Sequence, residues 1–206
     1  MCNLYRMTRG VDEVARLFDT EGPPLQLNFP EEVYPGLPGL VVRESGGRRV
    51  LEQMTWGFPL RLATMKPGSK PKPVNNIADL ARPAWSGLAR KAQWRCLIPL
   101  TGFCEAEGPK GAKCRTWISD REQPIFAWGG LWRVSDEWGP VFSGAMTDCN
   151  AAVRPVHDRM PVILRPEEWT VWLRGSFEDV CALQAHCYPD ELIVIERTSE
   201  PWAKRA

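Results

Sequence analysis

The chain has no apolar run long enough to cross a membrane, no secretory leader, no internal repeat and no CxxC…CxxC spacing of a zinc site. These absences exclude a membrane-spanning helix protein, a disulfide-stapled secreted domain and a zinc-ribbon module. Seven cysteines, an odd number, in a chain of 206 residues are expected to be mostly buried thiols in a reducing cytoplasm. Histidine is scarce, with only two in the chain. Charge of either sign is barely in excess: the net +1 neither requires nor excludes a nucleic-acid partner, because a basic groove can lie on a neutral protein. Nothing in the sequence asks for a metal or an organic cofactor.

What is present is core material and turn signals. With 44% apolar residues and ten tryptophans the chain can bury a sizeable core without cross-links. No Pro/Gly/Ser linker divides it, so one domain over 1–206 is expected, with a mobile tail from 199. Nineteen prolines and seventeen glycines predict many turns, short strands and few long helices. Val11, Val14, Leu17 and Phe18 recur at helical spacing, with Thr8 as a candidate N-cap. Residues 40–43 and 50–56 flank Ser45-Gly46-Gly47, a hairpin signal. The stretch 57–74 is basic, proline-rich and irregular, and is expected to be a surface loop. A short helix over 84–92 follows, then strands over 96–99, 102–105, 115–119, 125–132 and 141–147, read as an antiparallel meander. Pro166 and the Ser176…Asp179 capping box open two helices, and a last strand covers 192–196.

Three residues carry possible chemistry. If Met1 is removed, Cys2 presents an α-amine beside a thiol. The amine, with a pKa near about 7.7–8.0, is partly neutral in the cytosol and condenses with aldehydes, and the thiol can then close a thiazolidine ring. The plain alternative is a small residue that merely permits methionine removal. Glu105, at the end of an apolar strand, is either solvated or paired with a task. His157, in the polar trio His157-Asp158-Arg159 between apolar residues, is either structural or an acid–base group. His186, on a predicted helix, has no assigned role.

Met1-Cys2, Asn76, Pro99-x-x-Gly102-Phe103-x-Glu105 and Asn150…Val156-His157-x-Arg159-Met160-Pro161-Val162-Ile163-Leu164, in this order, resemble the SOS response-associated peptidase (SRAP) family. The resemblance spans nearly the whole chain. It implies an α+β domain with a strand-rich, mostly antiparallel, barrel-like core and a basic groove for single-stranded DNA. It implies that Cys2 condenses with the ring-opened aldehyde of an abasic site, and that the family can remove its own initiator methionine. By position, Asn76 matches the residue that orients the N-terminus and the sugar, Glu105 the carboxylate that assists proton transfer, and His157 the histidine that assists ring opening.

The sequence also departs from the family pattern. Asn3-Leu4 stands where Gly-Arg is usual, Asn76-Ile77-Ala78 where Asn-Ala-Arg is usual, and Cys104 and Ala106 where aromatics flank the glutamate. Two phosphate-contacting arginines are therefore missing, which weakens expected DNA affinity. Arg6, Lys66, Lys70, Lys72, Arg82 and Arg159 are candidates to line the groove, and Trp56 and Phe58 are candidate stacking faces. A monomer with no membrane and no metal is expected. Two other classes stand beside this one: an N-terminal-nucleophile amidase attacking through the Cys2 thiolate, and a reversible DNA- or protein-binding module with vestigial chemistry.

Overall fold

The computed structural model describes residues 2–22, 29–61, 64–66 and 68–202. The chain opens with β1 (Tyr5–Arg6), α1 (Val11–Leu17) and β2 (Glu32–Val33), then β3 (Pro38–Ser45) and β4 (Arg48–Trp56). Next come β5 (Phe58–Leu60), β6 (Lys72–Val74), β7 (Asn76–Ile77) and α2 (Pro83–Ala89). The middle holds β8 (Arg95–Leu100), β9 (Gly102–Glu107), β10 (Cys114–Asp120), β11 (Phe126–Ser135) and β12 (Gly139–Asp148). β13 (Arg159–Pro161) and β14 (Ile163–Leu164) lead into α3 (Pro166–Arg174), α4 (Phe177–Ala185) and β15 (Ile193–Pro201).

The architecture is α+β around a closed ring of strands. β12, β4, β3, β8 and β11 are neighbours in that order, and β11 pairs back onto β12. All these pairings are antiparallel except β12 with β4. A second, antiparallel sheet runs β15-β10-β9-β1-β2. β8, β11 and β12 are buried on both faces over most of their length, which is why they read as nearly continuous apolar runs, whereas β4 buries only Leu51, Met54 and Trp56. Ile98 and Trp128 pack in one core with Tyr5, Trp56 and Phe142, while Leu97 and Ala127 face a second core with Trp169 and Trp172 of α3. Packing is close enough to require glycine: a Cβ on Gly144 would lie 2.0 Å from the Trp128 ring.

Gly46 and Gly47 have φ of 59° and 82° and make the β3–β4 turn, as their spacing predicts. The Ser176–Asp179 capping box also forms as predicted, with bonds of 2.7 and 3.1 Å. Other expectations are corrected. Thr8 does not cap α1, whose N-cap is Gly10; Thr8 instead bonds Thr101 at the sheet edge. Within 57–74, β5 and β6 pair, with Pro59 opposite Pro73 in the one position where neither must donate a hydrogen bond. The meander is broken: β8 and β9, separated only by Thr101, lie in different sheets, so one extended segment crosses from the ring to the second sheet. The final strand reaches Pro201, opposite Cys114, so 199–201 are strand rather than tail; 203–206 lie outside the described residues. All seven cysteines are free thiols, and no helix among the described residues is long and apolar enough to cross a membrane.

One buried cation ties the helices to the ring. Arg95, 1% exposed, donates Nε to Ala89 O (2.8 Å) and Nη1 to Gly175 O (2.6 Å) and Trp172 O (3.3 Å). These are carbonyls at and beyond the C-terminal ends of α2 and α3, which have no intrahelical donor. Arg95→Met is expected to leave them unsatisfied and cost about 3 kcal/mol. At this chain length that is roughly 6–12 °C in a thermal melt, and an unchanged Tm would contradict the assignment.

Candidate functional site

The site begins with a break in one strand. β4 pairs in parallel with β12 at Val141↔Thr55 and Phe142↔Trp56, and β7 then takes the same lane at Gly144↔Asn76 and Ala145↔Ile77. Gly57, at φ 113°, turns the chain out of the lane, and Pro73 packs so close that a Cβ on Gly57 would lie 2.4 Å from it. The excursion returns at Asn75, whose carbonyl accepts from Trp56 Nε1 (3.0 Å) and Gly144 N (3.2 Å). Asn75 and Asn76 are therefore held by the ring itself.

Both asparagines grip Cys2. Asn76 Nδ2 donates to Cys2 O at 2.8 Å and Asn75 Nδ2 at 2.9 Å, the latter also reaching Asn3 Oδ1 at 3.1 Å. One carbonyl thus receives two amide donors. Asn76 Oδ1 is buried and has no partner among the described residues. Asn75 was not singled out from the sequence; the Asn75-Asn76 doublet was the available signal. Cys2 is fully buried, with Sγ 3.5 Å from Leu4 O. Burial pushes its thiol well above the usual range, and the Glu105 carboxylate adds to that.

Glu105 lies on β9 and is 4% exposed, so the solvated alternative is overturned. Burial raises its carboxyl above the usual carboxylate range, and His157 opposes that shift. His157 Nε2 stands 4.0 Å from Glu105 Oε2. Its Nδ1 lies 2.9 Å from Arg159 N and 3.1 Å from Arg159 O, so its role as acceptor or donor follows the ring tautomer, while Nε2 faces Glu105. Asp158 Oδ1 stands 3.0 Å from the same Nδ1. The turn before His157 is built on Asn150, which donates to Tyr188 O (2.9 Å) and accepts from Val153 N (3.0 Å). Cys2, Asn76, Glu105 and His157 thus converge from the N-terminus, β7, β9 and the β12–β13 connection.

The groove candidates fare unevenly. Trp56 is wholly buried and Phe58 is 4% exposed, between Trp85 and Arg133, so neither can stack a base. Trp56 instead carries Asn75. Arg6 lies over Trp117 and pairs with Glu196 at 3.5 Å, on the face of β1 that also carries Leu4, opposite the face of Tyr5. Leu4, which stands where the usual arginine is absent, packs on that same face with Cys104 and Trp117. Arg82 is exposed beside Asp79 (3.8 Å), and Lys66, Lys70 and Lys72 are exposed. Arg159 spends Nε on Thr147 O (2.9 Å) and Nη2 on Ala78 O (2.8 Å) and Met146 O (3.2 Å), with Asp148 3.6 Å from Nε, and so sits beside Ala78, where the usual arginine is absent.

A strand ring with a paired-asparagine clamp on an N-terminal cysteine, flanked by glutamate and histidine, defines the class, and the chain belongs to the SOS response associated peptidase (SRAP) family, whose model matches residues 1–199. Among curated relatives it is similar to the abasic site processing protein YoqW of Bacillus subtilis (strain 168), 26% identical over 198 residues covering 92% of this chain and 87% of that one. It is also similar to the abasic site processing protein YobE of the same organism, at 25% identity over 201 residues, 92% of this chain and 89% of that one. Its fold matches the crystal structure of a Bacteroides thetaiotaomicron protein with a TM-score of 0.79 at 20% identity, over 95% and 91% of the two chains. A Bordetella bronchiseptica protein matches with a TM-score of 0.75 at 19% identity, over 96% and 99%.

Proposed function

We propose that this chain captures abasic sites in single-stranded DNA by forming a covalent thiazolidine link through Cys2 once Met1 is removed. The observation that carries this reading is the double amide clamp on the Cys2 carbonyl beside the Glu105–His157 pair. It orients the residue without touching the two groups that react. The neutral α-amine adds to the aldehyde of the opened sugar to give a carbinolamine. That intermediate loses hydroxide as water, and a carboxyl whose pKa burial raises is suited to donate the proton. The Cys2 S–H then adds across the C=N bond: sulfur bonds to carbon and the proton ends on nitrogen, so no oxidant or cofactor is needed. Asn76 Oδ1, buried and unpartnered, is placed to accept from a sugar hydroxyl. Arg159, Lys70 and Lys72 supply cations for phosphates.

The names of the abasic-site-processing relatives support the same substrate. The amidase reading needs a Cys2 thiolate, and a fully buried thiol whose pKa is pushed up opposes it. The test is intact-mass analysis after incubation with an abasic-site oligonucleotide. The expected adduct survives heat and weighs the Met1-less protein plus the oligonucleotide minus one water. A tetrahydrofuran analogue, which has no aldehyde, should give none. Turnover of a small amide without DNA, and no adduct, would overturn the proposal.

A further inference from the structure

Gln184 stands half-buried in the last turn of α4, and its side chain ties that helix to the strand carrying Asn76. Its Oε1 accepts from Leu80 N at 2.9 Å, and its Nε2 donates to Met146 O at 2.9 Å and approaches Ala78 O at 3.4 Å. These groups lie just past β7. That strand is only two residues long, and in its lane Gly144 N donates to Asn75 O at 3.2 Å. Alternate residues of a strand turn their backbone groups to the same side, so Met146, two residues beyond Gly144, presents its carbonyl to the same lane. β7 ends at Ile77, and the Gln184 amide meets that carbonyl.

A primary amide carries an acceptor and a donor on one carbon, as a peptide group does. Between Leu80 N and Met146 O the Gln184 side chain therefore takes the place of a strand hydrogen bond, and only one orientation of the amide satisfies both partners. Arg159 shares part of this task, with Nη2 2.8 Å from Ala78 O and 3.2 Å from Met146 O. A guanidinium has no acceptor, however, so Arg159 offers nothing to Leu80 N. The Leu80 side chain is fully buried beside Ile77 in the outer core, so an N–H left without its acceptor there would loosen the segment that fixes the end of β7. The consequence falls on the clamp. Asn76 reaches Cys2 O through Nδ2 at 2.8 Å, and its Oδ1 has no partner among the described residues, so a shift of its backbone moves the donor directly. We infer that Gln184 is a positioning residue for the crosslinking reaction: it holds β7 on β12 so that the Asn76 amide meets the Cys2 carbonyl. This rests on the crosslink reading of the Cys2 site, and it gives a task to a residue of α4 that lies outside every motif of the sequence.

The test uses full-length protein and reads two quantities: the rate of heat-stable adduct formation at saturating abasic-site oligonucleotide, and the reversible affinity for an oligonucleotide carrying a tetrahydrofuran site. Gln184→Met keeps the length of the side chain and loses both hydrogen bonds. Its rate is expected to fall by about 10-fold, with affinity within about two-fold of wild type. In an Asn76→Ala background, where Asn75 still holds the Cys2 carbonyl and adduct still accumulates, Gln184→Met should cause no further loss. Gln184→Glu reads the donor separately. Its carboxylate accepts from Leu80 N but repels Met146 O, whereas its protonated form regains a donor, so its rate relative to wild type should be low at about pH 8 and recover toward one at about pH 5. A wild-type rate in Gln184→Met, a loss that multiplies with that of Asn76→Ala, a loss of affinity in place of rate, or a Gln184→Glu ratio indifferent to pH overturns the positioning role and leaves the crosslink reading intact. A wild-type protein that forms no adduct overturns both.

Discussion

Replacing Cys2 by alanine is expected to abolish the heat-stable DNA adduct completely. The variant keeps an α-amine after Met1 removal, so it can still form an imine, but it has no S–H to add across it. The imine is reversible. Borohydride should therefore trap Cys2→Ala on abasic DNA, whereas without reductant the product should vanish on heating. Truncating this one buried thiol should cost only about 1 kcal/mol, so a folded variant is expected and a melt checks it. A heat-stable adduct that forms at the wild-type rate in Cys2→Ala would refute the thiazolidine route.

Glu105→Gln is expected to move rate and stability in opposite directions. Glutamine keeps the shape and can still donate hydrogen bonds, but it cannot transfer a proton to the departing hydroxyl, so adduct formation should slow by about 100-fold or more. The wild-type rate should rise with pH as the amine becomes neutral and fall as Glu105 loses its proton, and the falling limb should disappear in the variant. For stability the sign follows from burial. The folded-state pKa of Glu105 is raised above its ordinary value of 4.5, so the folded protein binds the proton more tightly than the unfolded chain does. Wild type therefore loses stability as pH rises from about 4.5 through the folded-state value. Glutamine has no such loss. Glu105→Gln should melt above wild type at pH 8, and the gap should close toward pH 4. Identical rates, or a variant less stable at pH 8, would show that the buried carboxylate is a structural partner instead.

These two outcomes bear on why the site tolerates an unfavourable arrangement. A carboxyl and a thiol are both held in a dry environment that opposes their ionised forms. That is costly for folding and useful for a reaction that needs an undissociated acid and an S–H as the adding group. The clamp on Cys2 comes from two neutral amides, which position the residue without altering the charge balance around its amine.

Much of this was legible along the chain. The glycine turn at 46–47, the Ser176 capping box and the strands of the middle region follow from signals within a few residues, because caps, turns and side-chain periodicity are local properties. Cys2, Asn76, Glu105 and His157 could be named from residue type and order. Tertiary structure decided which of them meet and what surrounds them. Whether Glu105 is solvated or buried, whether Arg6 faces the groove or Trp117, and whether Trp56 stacks on a base or carries Asn75 all depend on strand parity and on which sheet a segment joins. A one-residue change of register would reverse each side chain's face, and no local pattern specifies that register across a closed ring. The lane that β4 leaves and β7 resumes is set by hydrogen bonds to β12, 86 and 68 residues away in sequence; pairing at that range brings the asparagine clamp to the N-terminal cysteine.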